Sequence, residues 1–562
     1  MRRLLAGLLA LSLLLATLPL PVFAGPADSL ASLARYFPAE TPVFVALGAQ
    51  PADIDALDAA LDALRAVAPD EFPANLSIRA LLNLAAVSLV GGTFEDGIQS
   101  WLGDSMAAGL LGVEPALLSA DEPPLVIAFE VTDRAALEQF MADLAKVAFS
   151  DVEQPFVIGE TAGYARYDVV GEDMTFLAGD DVLFLGPSVG IELLLAAQGP
   201  SLADSADFQE AFGALPAPRY NLALYVDSRQ FVRLGAAAGE LPESLRPEDA
   251  PPLAMGLTLL EEQALVLDTV SGRSRLVNAA ELPQLPPASL EFAANLPADA
   301  FVAVMGKDVP ALVTWGQAAF RTLLELAAQD PDFTFELEGF TTTDPTEALE
   351  EIQRRVEMAR EEFRELTGLD LAEDVIGWMT GAYGVFMRID SAALAAGEPE
   401  PFGLGAVLEV TDPAAVDRLM VGLQRATEVG ERVTEDEVAG NPVFIIEDVE
   451  TEEGTMDLIM GGRQAVFVLA TRADGQMVLS QDMRSLYDAP RFQAAAAHVI
   501  PQASVVAFVN FEAAAPAMMA ELAPDEVAEA TVALRLLESL TYSARTLPDG
   551  RSVGRLAVVL GQ

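Results

Sequence analysis

A chain of 562 residues with 85 acidic against 32 basic side chains carries a formal charge of −53, which excludes nucleic acid and anionic membrane surfaces as natural partners. It has no cysteine, so disulfides, thiolate metal sites and lipobox acylation are closed to it, and its one histidine, His498, makes neither a zinc site nor a Cys-His dyad. The 52% apolar content and the length allow two well-filled cores held by packing alone.

Arg2 and Arg3 precede an apolar run from Leu4 to Leu18, followed by Pro19, Pro21 and Val22-Phe23-Ala24. This predicts a signal peptide over 1–24 with cleavage between Ala24 and Gly25. The run is shorter than the roughly 20 residues a spanning helix needs, and no later stretch is apolar enough, so no transmembrane segment is expected after signal removal. The expected location is extracytoplasmic: secreted, periplasmic or cell-surface.

In residues 25–275, Pro42 to Gly48 reads as a strand and Ala52 to Val67 as a helix with Ile54, Leu57, Leu61 and Leu64 on one face. A second helix runs from Ile78 to Leu89. Leu125 to Val131 is a strand, after which Thr132 or Asp133 caps a helix to Val147 that turns Leu137, Phe140, Met141 and Leu144 inward. Strands near Tyr164–Val170, Met174–Ala178 and Val182–Leu185 follow, then helices at Val189–Ala197 and Asp207–Phe212 and a strand at Tyr220–Val226. The expected order is β-α-β-β-β-α-β, closed by a hairpin of Leu253–Leu260 and Leu265–Val270.

The same pattern returns after a proline-rich linker at 276–289, which contains Leu282-Pro283-Gln284-Leu285-Pro286-Pro287. Phe129-Glu130-Val131-Thr132-Asp133 recurs as Leu408-Glu409-Val410-Thr411-Asp412, an offset of 279 between Asp133 and Asp412. Phe37-Pro38-Ala39-Glu40 matches Leu296-Pro297-Ala298-Asp299, Trp101 matches Trp378, and Asp207-Phe208-Gln209 matches Arg491-Phe492-Gln493. Preserved order with drifting offsets reads as an old duplication, so residues 290–562 form a second repeat. The fold class expected is α+β: two tandem homologous modules, each a largely antiparallel sheet with helices packed on it. In the second, Asp344-Pro345 opens a long helix to about Leu366, with a stripe of Ile352, Val356, Ala359 and Phe363 expected to pack on its own sheet and Glu350 expected to pair with Arg354.

Arg35-Tyr36-Phe37-Pro38-Ala39-Glu40-Thr41-Pro42-Val43-Phe44-Val45, the segment Thr367-Gly368-Leu369-Asp370-Leu371-Ala372-Glu373-Asp374 leading to Trp378, and the Val-Thr-Asp strand ends resemble the exported bacterial domain-of-unknown-function family 3352. The resemblance covers most of the mature chain. It implies extracytoplasmic placement and no established activity, and it assigns no functional residue.

Gly186-Pro187-Ser188-Val189-Gly190 is a literal G-x-S-x-G between a strand and a helix, which makes Ser188 the catalytic candidate. Its hairpin context and the lack of a histidine in the same repeat favour a capping role, with the hydroxyl accepting helix N–H groups. His498 reads as the C-terminal residue of a helix, complementing its dipole. Trp101 and Trp378 are the binding candidates, as lining of matched pockets or as core anchors. The acidic run from Glu431 to Glu453 reads as solvated loops without the order of a calcium loop, so no metal site and no cofactor are assigned. These observations lead to an exported, non-catalytic binding or structural protein acting on an unknown ligand or envelope protein. Two alternatives stand beside it: a hydrolase using Ser188 or a carboxylate pair, and a calcium-stabilised surface or adhesion protein.

Overall fold

The computed structural model describes residues 28–67, 77–113, 123–150, 152–197, 199–217, 219–237, 246–247, 250–261, 264–272, 283–327, 334–337, 340–390, 393–394, 402–429, 433–450, 455–463, 465–480, 483–520, 527, 531, 534 and 537–561. The expected signal peptide with its cleavage point at Ala24 and Gly25, residues 276–282 of the expected linker and the turn at Glu262-Gln263 lie outside them. The chain divides into two compact units, Met1–Leu276 with Asp549–Val553, and Val277–Pro548 with Gly554–Gln562.

The first unit holds β1 (Val43–Gly48), β2 (Leu102–Leu110), β3 (Leu125–Val131), β4 (Phe156–Thr161), β5 (Tyr164–Val169), β6 (Thr175–Ala178), β7 (Val182–Gly186), β8 (Leu222–Val226), β9 (Leu253–Glu261) and β10 (Ala264–Ser271). They pair in the order β4-β5-β6-β7-β3-β2-β1-β8-β9-β10, every pair antiparallel. The second unit holds β11 (Val302–Lys307), a small hairpin of β12 (Phe335–Leu337) and β13 (Phe340–Thr342), β14 (Ala382–Ile389), β15 (Phe402–Glu409), β16 (Val433–Val438), β17 (Asn441–Glu450), β18 (Thr455–Arg463), β19 (Val466–Thr471), β20 (Val505–Asn510), β21 (Leu537–Thr546) and β22 (Ser552–Leu560). Its sheet runs β16-β17-β18-β19-β15-β14-β11-β20-β21, again antiparallel throughout. Over the nine positions from β4 to β9 and from β16 to β21, the two orders are the same. The protein is therefore mixed α and β around extensive antiparallel sheet.

The strands expected from the sequence leave out β2 and β4 in the first unit, and β11, β14, β16 and the small hairpin of β12 and β13 in the second. Leu102-Gly103-Asp104-Ser105-Met106-Ala107-Ala108-Gly109-Leu110 has little β propensity of its own and is a strand because β1 and β3 flank it. β4 and β16 lack inward alternation, since both expose their middle four residues. The Glu431–Glu453 run is corrected in the same way: its described part is the hairpin of β16 and β17 rather than loops.

The helix Arg134–Val147 forms where its apolar spacing places it. Asp133 Oδ1 accepts the N–H groups of Ala135 and Ala136, and Leu137, Phe140, Met141 and Leu144 are buried. The long helix spans Pro345–Thr367, capped by Asp344 and ended by left-handed Gly368. Its expected stripe is only partly covered, because the helix leans on the helix Pro413–Val429 and leaves Val356 and Ala359 exposed. Nor does Glu350 take Arg354. Glu351 does, accepting from Arg354 Nε at 2.8 Å and Nη2 at 2.6 Å and from Arg355 Nε at 2.8 Å.

Those guanidinium bonds, Arg354 first, hold the Glu351 carboxyl down at about 2 against an ordinary 4.5. Asp370 is lowered too, by the Glu373 backbone N–H and then by Arg364. Both groups bind protons less readily folded than unfolded, so their stabilisation is complete above the ordinary carboxylate range and is lost as pH falls through the folded values. Melting temperature is expected to fall between about pH 5 and about pH 2, and Glu351→Gln should flatten that fall. A Glu351→Gln profile that parallels the parent would contradict this.

Candidate functional site

The repeated Glu-Val-Thr-Asp segment serves the scaffold in both units. Glu130 Oε2 accepts from the Asp104 N–H and the Ser105 hydroxyl, and Glu409 Oε2 accepts from the Ala382 N–H at 2.7 Å, so each carboxylate anchors the neighbouring strand. Thr132 Oγ1 donates to the Trp101 carbonyl and Thr411 Oγ1 to the Trp378 carbonyl. Asp133 and Asp412 cap the helices that follow. The tryptophans are thereby pinned with their rings inside: Trp101 is 2% exposed against Phe129 and Phe140, and Trp378 is 5% exposed against Phe467. They differ at one atom. Trp101 Nε1 donates to the Gly97 carbonyl at 3.2 Å, whereas the buried Trp378 Nε1 has no partner among the described residues.

Ser188 is the first residue of the helix Ser188–Ala196 and not its cap, a correction to the expected capping role; Pro187 stands at the cap and no side chain bonds there. The Ser188 N–H is taken instead by Asp173 Oδ1. Its hydroxyl lies 3.5 Å from Thr175 Oγ1, which donates onward to Asp168 at 2.7 Å. The two glycines of the motif answer to packing: a Cβ at Gly186 would meet the Leu125 carbonyl at 2.8 Å, and one at Gly190 would meet Val126 at 3.0 Å. His498 lies in the second unit just past the helix Pro490–Ala496, its N–H donating to the Ala495 carbonyl. Ser188→Ala is expected to shift stability by less than about 0.5 kcal/mol, read by urea unfolding, since a half-buried hydroxyl with one long contact contributes little.

A cleft of about 560 Å³ opens in the first unit, lined by Glu40, Ser205, Asp207, Asp227, Arg229 and Arg233 among others. Asp227 directly follows β8 and Asp207 sits on the helix Ala206–Ala211, which Ser205 caps. Arg229, on the helix Ser228–Ala237, lies between them: its Nε donates to Asp227 Oδ1 at 2.9 Å and its Nη2 to Asp207. Asp227 is almost fully buried, so the guanidinium supplies the charge its carboxylate needs. Arg233 makes one long bond, 3.5 Å to Gln230, and Glu40 is exposed at the rim. Below the cleft, burial raises the Tyr225 hydroxyl well above its ordinary value, so it stays protonated.

At the matching place of the second unit the polarity is reversed. Arg491 stands where Asp207 stands, Glu512 where Arg229 stands and Asn510 where Asp227 stands, and Arg491 pairs with Glu512. Sequence comparison aligned Asp207 with Arg491 without revealing a site, because Arg229 and Glu512 lie about twenty residues downstream and only the fold delivers them. The second unit has a smaller groove of about 360 Å³ lined by Thr367, Leu369, Arg418, Val421 and Arg425. Among the described residues no group of three or more histidine or carboxylate side chains is placed to hold a metal, and no helix is long and apolar enough to cross a membrane.

A family model described as a protein of unknown function, DUF3352, matches residues 3–560. No curated protein and no solved structure matches the chain.

Proposed function

The chain belongs to this family, DUF3352, and from that premise we propose that it is an exported protein of two homologous modules that binds a polar ligand or an envelope partner without transforming it. The observation that supports this reading is the first-unit cleft, where an arginine set between two carboxylates fixes the wall and leaves Arg233 and Glu40 to meet a ligand. A charge-bearing small molecule, anionic toward Arg233 and cationic toward Glu40, fits such a wall better than an apolar one. Duplication accounts for the identical strand order, and the reversed Arg491–Glu512 pair gives the second copy a different specificity. Export follows from the leader, with the mature protein beginning at Gly25.

Calorimetric titration of the mature protein with a panel of polar zwitterions and dicarboxylates is the test. Binding at one site per chain that weakens at least about tenfold in Arg233→Ala is the expected outcome. Fluorophosphonate labelling lost in Ser188→Ala would overturn the non-catalytic part.

A further inference from the structure

The two outer hairpins share a turn but not an edge. Ala162-Gly163 and Ala439-Gly440 both have positive φ, 50° and 86° in the first and 50° and 84° in the second, the backbone of a two-residue turn that matches strand twist. Beyond these turns, β4 and β16 are the first strands in their sheets, and among the described residues nothing pairs with their outer sides. β16 carries Glu435, Asp436 and Glu437 in succession, the usual protection of an exposed edge. β4 has only Glu160. It presents Val157, 62% exposed, and Ile158, 69% exposed, on its two faces.

Which backbone groups of β4 are free follows from its turn. Thr161 and Tyr164 close a two-residue loop and are a bonded pair, and Val170 N–H donates to the Pro155 carbonyl at 2.9 Å. Residues 155, 157, 159 and 161 therefore turn their backbone groups toward β5, while Phe156, Ile158 and Glu160 turn theirs outward.

We propose that β4 is the docking edge for β4 of a second copy of this chain, the two strands running antiparallel about a two-fold axis at Ile158. In that register Ile158 meets its own mate with both backbone groups bonded, and Phe156 and Glu160 exchange bonds in both directions. Val157 falls opposite Gly159, where no other atom lies within 4 Å of an added Cβ, so the side chain has room. Each Glu160 faces a phenylalanine rather than the other carboxylate, so the join avoids like charges although the chain carries −53 overall. No such register suits β16, where the position matching Ile158 is Glu435, so that two carboxylates would meet at the axis. Self-complementarity and the charge contrast between the two edges together single out β4. This inference does not rest on the cleft.

Sedimentation of the mature chain decides it. A reversible dimer is expected, and its population should grow as salt rises from about 0.05 M to about 0.5 M, because screening relieves repulsion between two acidic molecules. Ile158→Lys sets two ammonium groups against each other at the axis and should weaken the dimer at least about tenfold while the melting temperature holds. Gly159→Glu, at an open position, should do the same, and Glu435→Lys on the other edge should leave association unchanged. A chain that remains monomeric at about 200 µM in high salt, or a dimer indifferent to both β4 substitutions, would overturn the proposal and leave this edge to a strand of another protein.

Discussion

Trp101→Ala is expected to remove about 3–5 kcal/mol from the stability of the first unit. The ring is 2% exposed and sits in a cluster with Leu137, Phe140, Met141, Phe94 and Phe176. Phe129 meets it edge-on at 6.0 Å between centroids and Phe140 lies at 5.1 Å. Truncation leaves a cavity between the helix Arg134–Val147 and the start of β2, and both walls are fixed by the Glu130 and Thr132 bonds, so collapse is hindered. The second-unit counterpart allows a finer comparison. Trp101→Phe also strands the Gly97 carbonyl, whereas Trp378→Phe removes an N–H that has no partner, so the first exchange should cost about 1 kcal/mol more. Urea unfolding of the two variants measures this, and equal losses would refute the hydrogen-bond argument.

Arg229→Glu is expected to destabilise by about 3–5 kcal/mol, because it brings a third carboxylate against Asp207 and the buried Asp227 and removes the cation that balanced them. The second unit shows how the loss can be recovered. There the pair runs the other way, with Arg491 against Glu512, and the third position is the neutral Asn510. Asp207→Arg added to Arg229→Glu should restore part of the stability, and Asp227→Asn added to both should restore most of it. The coupling energy from such a cycle belongs to contacting residues and should exceed about 1 kcal/mol. Additive losses along the series would show that the two places are not equivalent in energy despite their shared geometry.

How much was legible depended on whether an element carried its own pattern. The helix Arg134–Val147 and the strand Leu125–Val131 were readable to within a residue, since spacing, cap and burial all point one way. β2 was not, because a strand of small residues takes its conformation from neighbours on both sides, whereas β14 carried its own signal in Tyr383, Val385, Phe386 and Ile389. β4 and β16 lacked the alternation that marks a half-buried strand, yet a signal existed. Glu160-Thr161-Ala162-Gly163 recurs as Glu437-Val438-Ala439-Gly440, offset by 277, beside the 279 of the longer motif. For the candidate site, Asp207 was visible only as half of a match, and neither Ser188 nor the tryptophans reach the cleft. Its chemistry depends on Arg229 lying beside Asp207 and Asp227, a proximity that periodicity does not encode.

The central place of β1 has a consequence for how the protein comes into being. β1 lies between β2 and β8, so Val43 must find Val226 before the middle of the sheet is complete, and β11 waits in the same way for β20. Such distant pairing raises contact order and slows closure, because the loop must be ordered before the contacts that reward it exist. A nascent chain would therefore stay unlocked until some two hundred residues of a unit had emerged, and the strand that begins each unit is the one its folding finishes around.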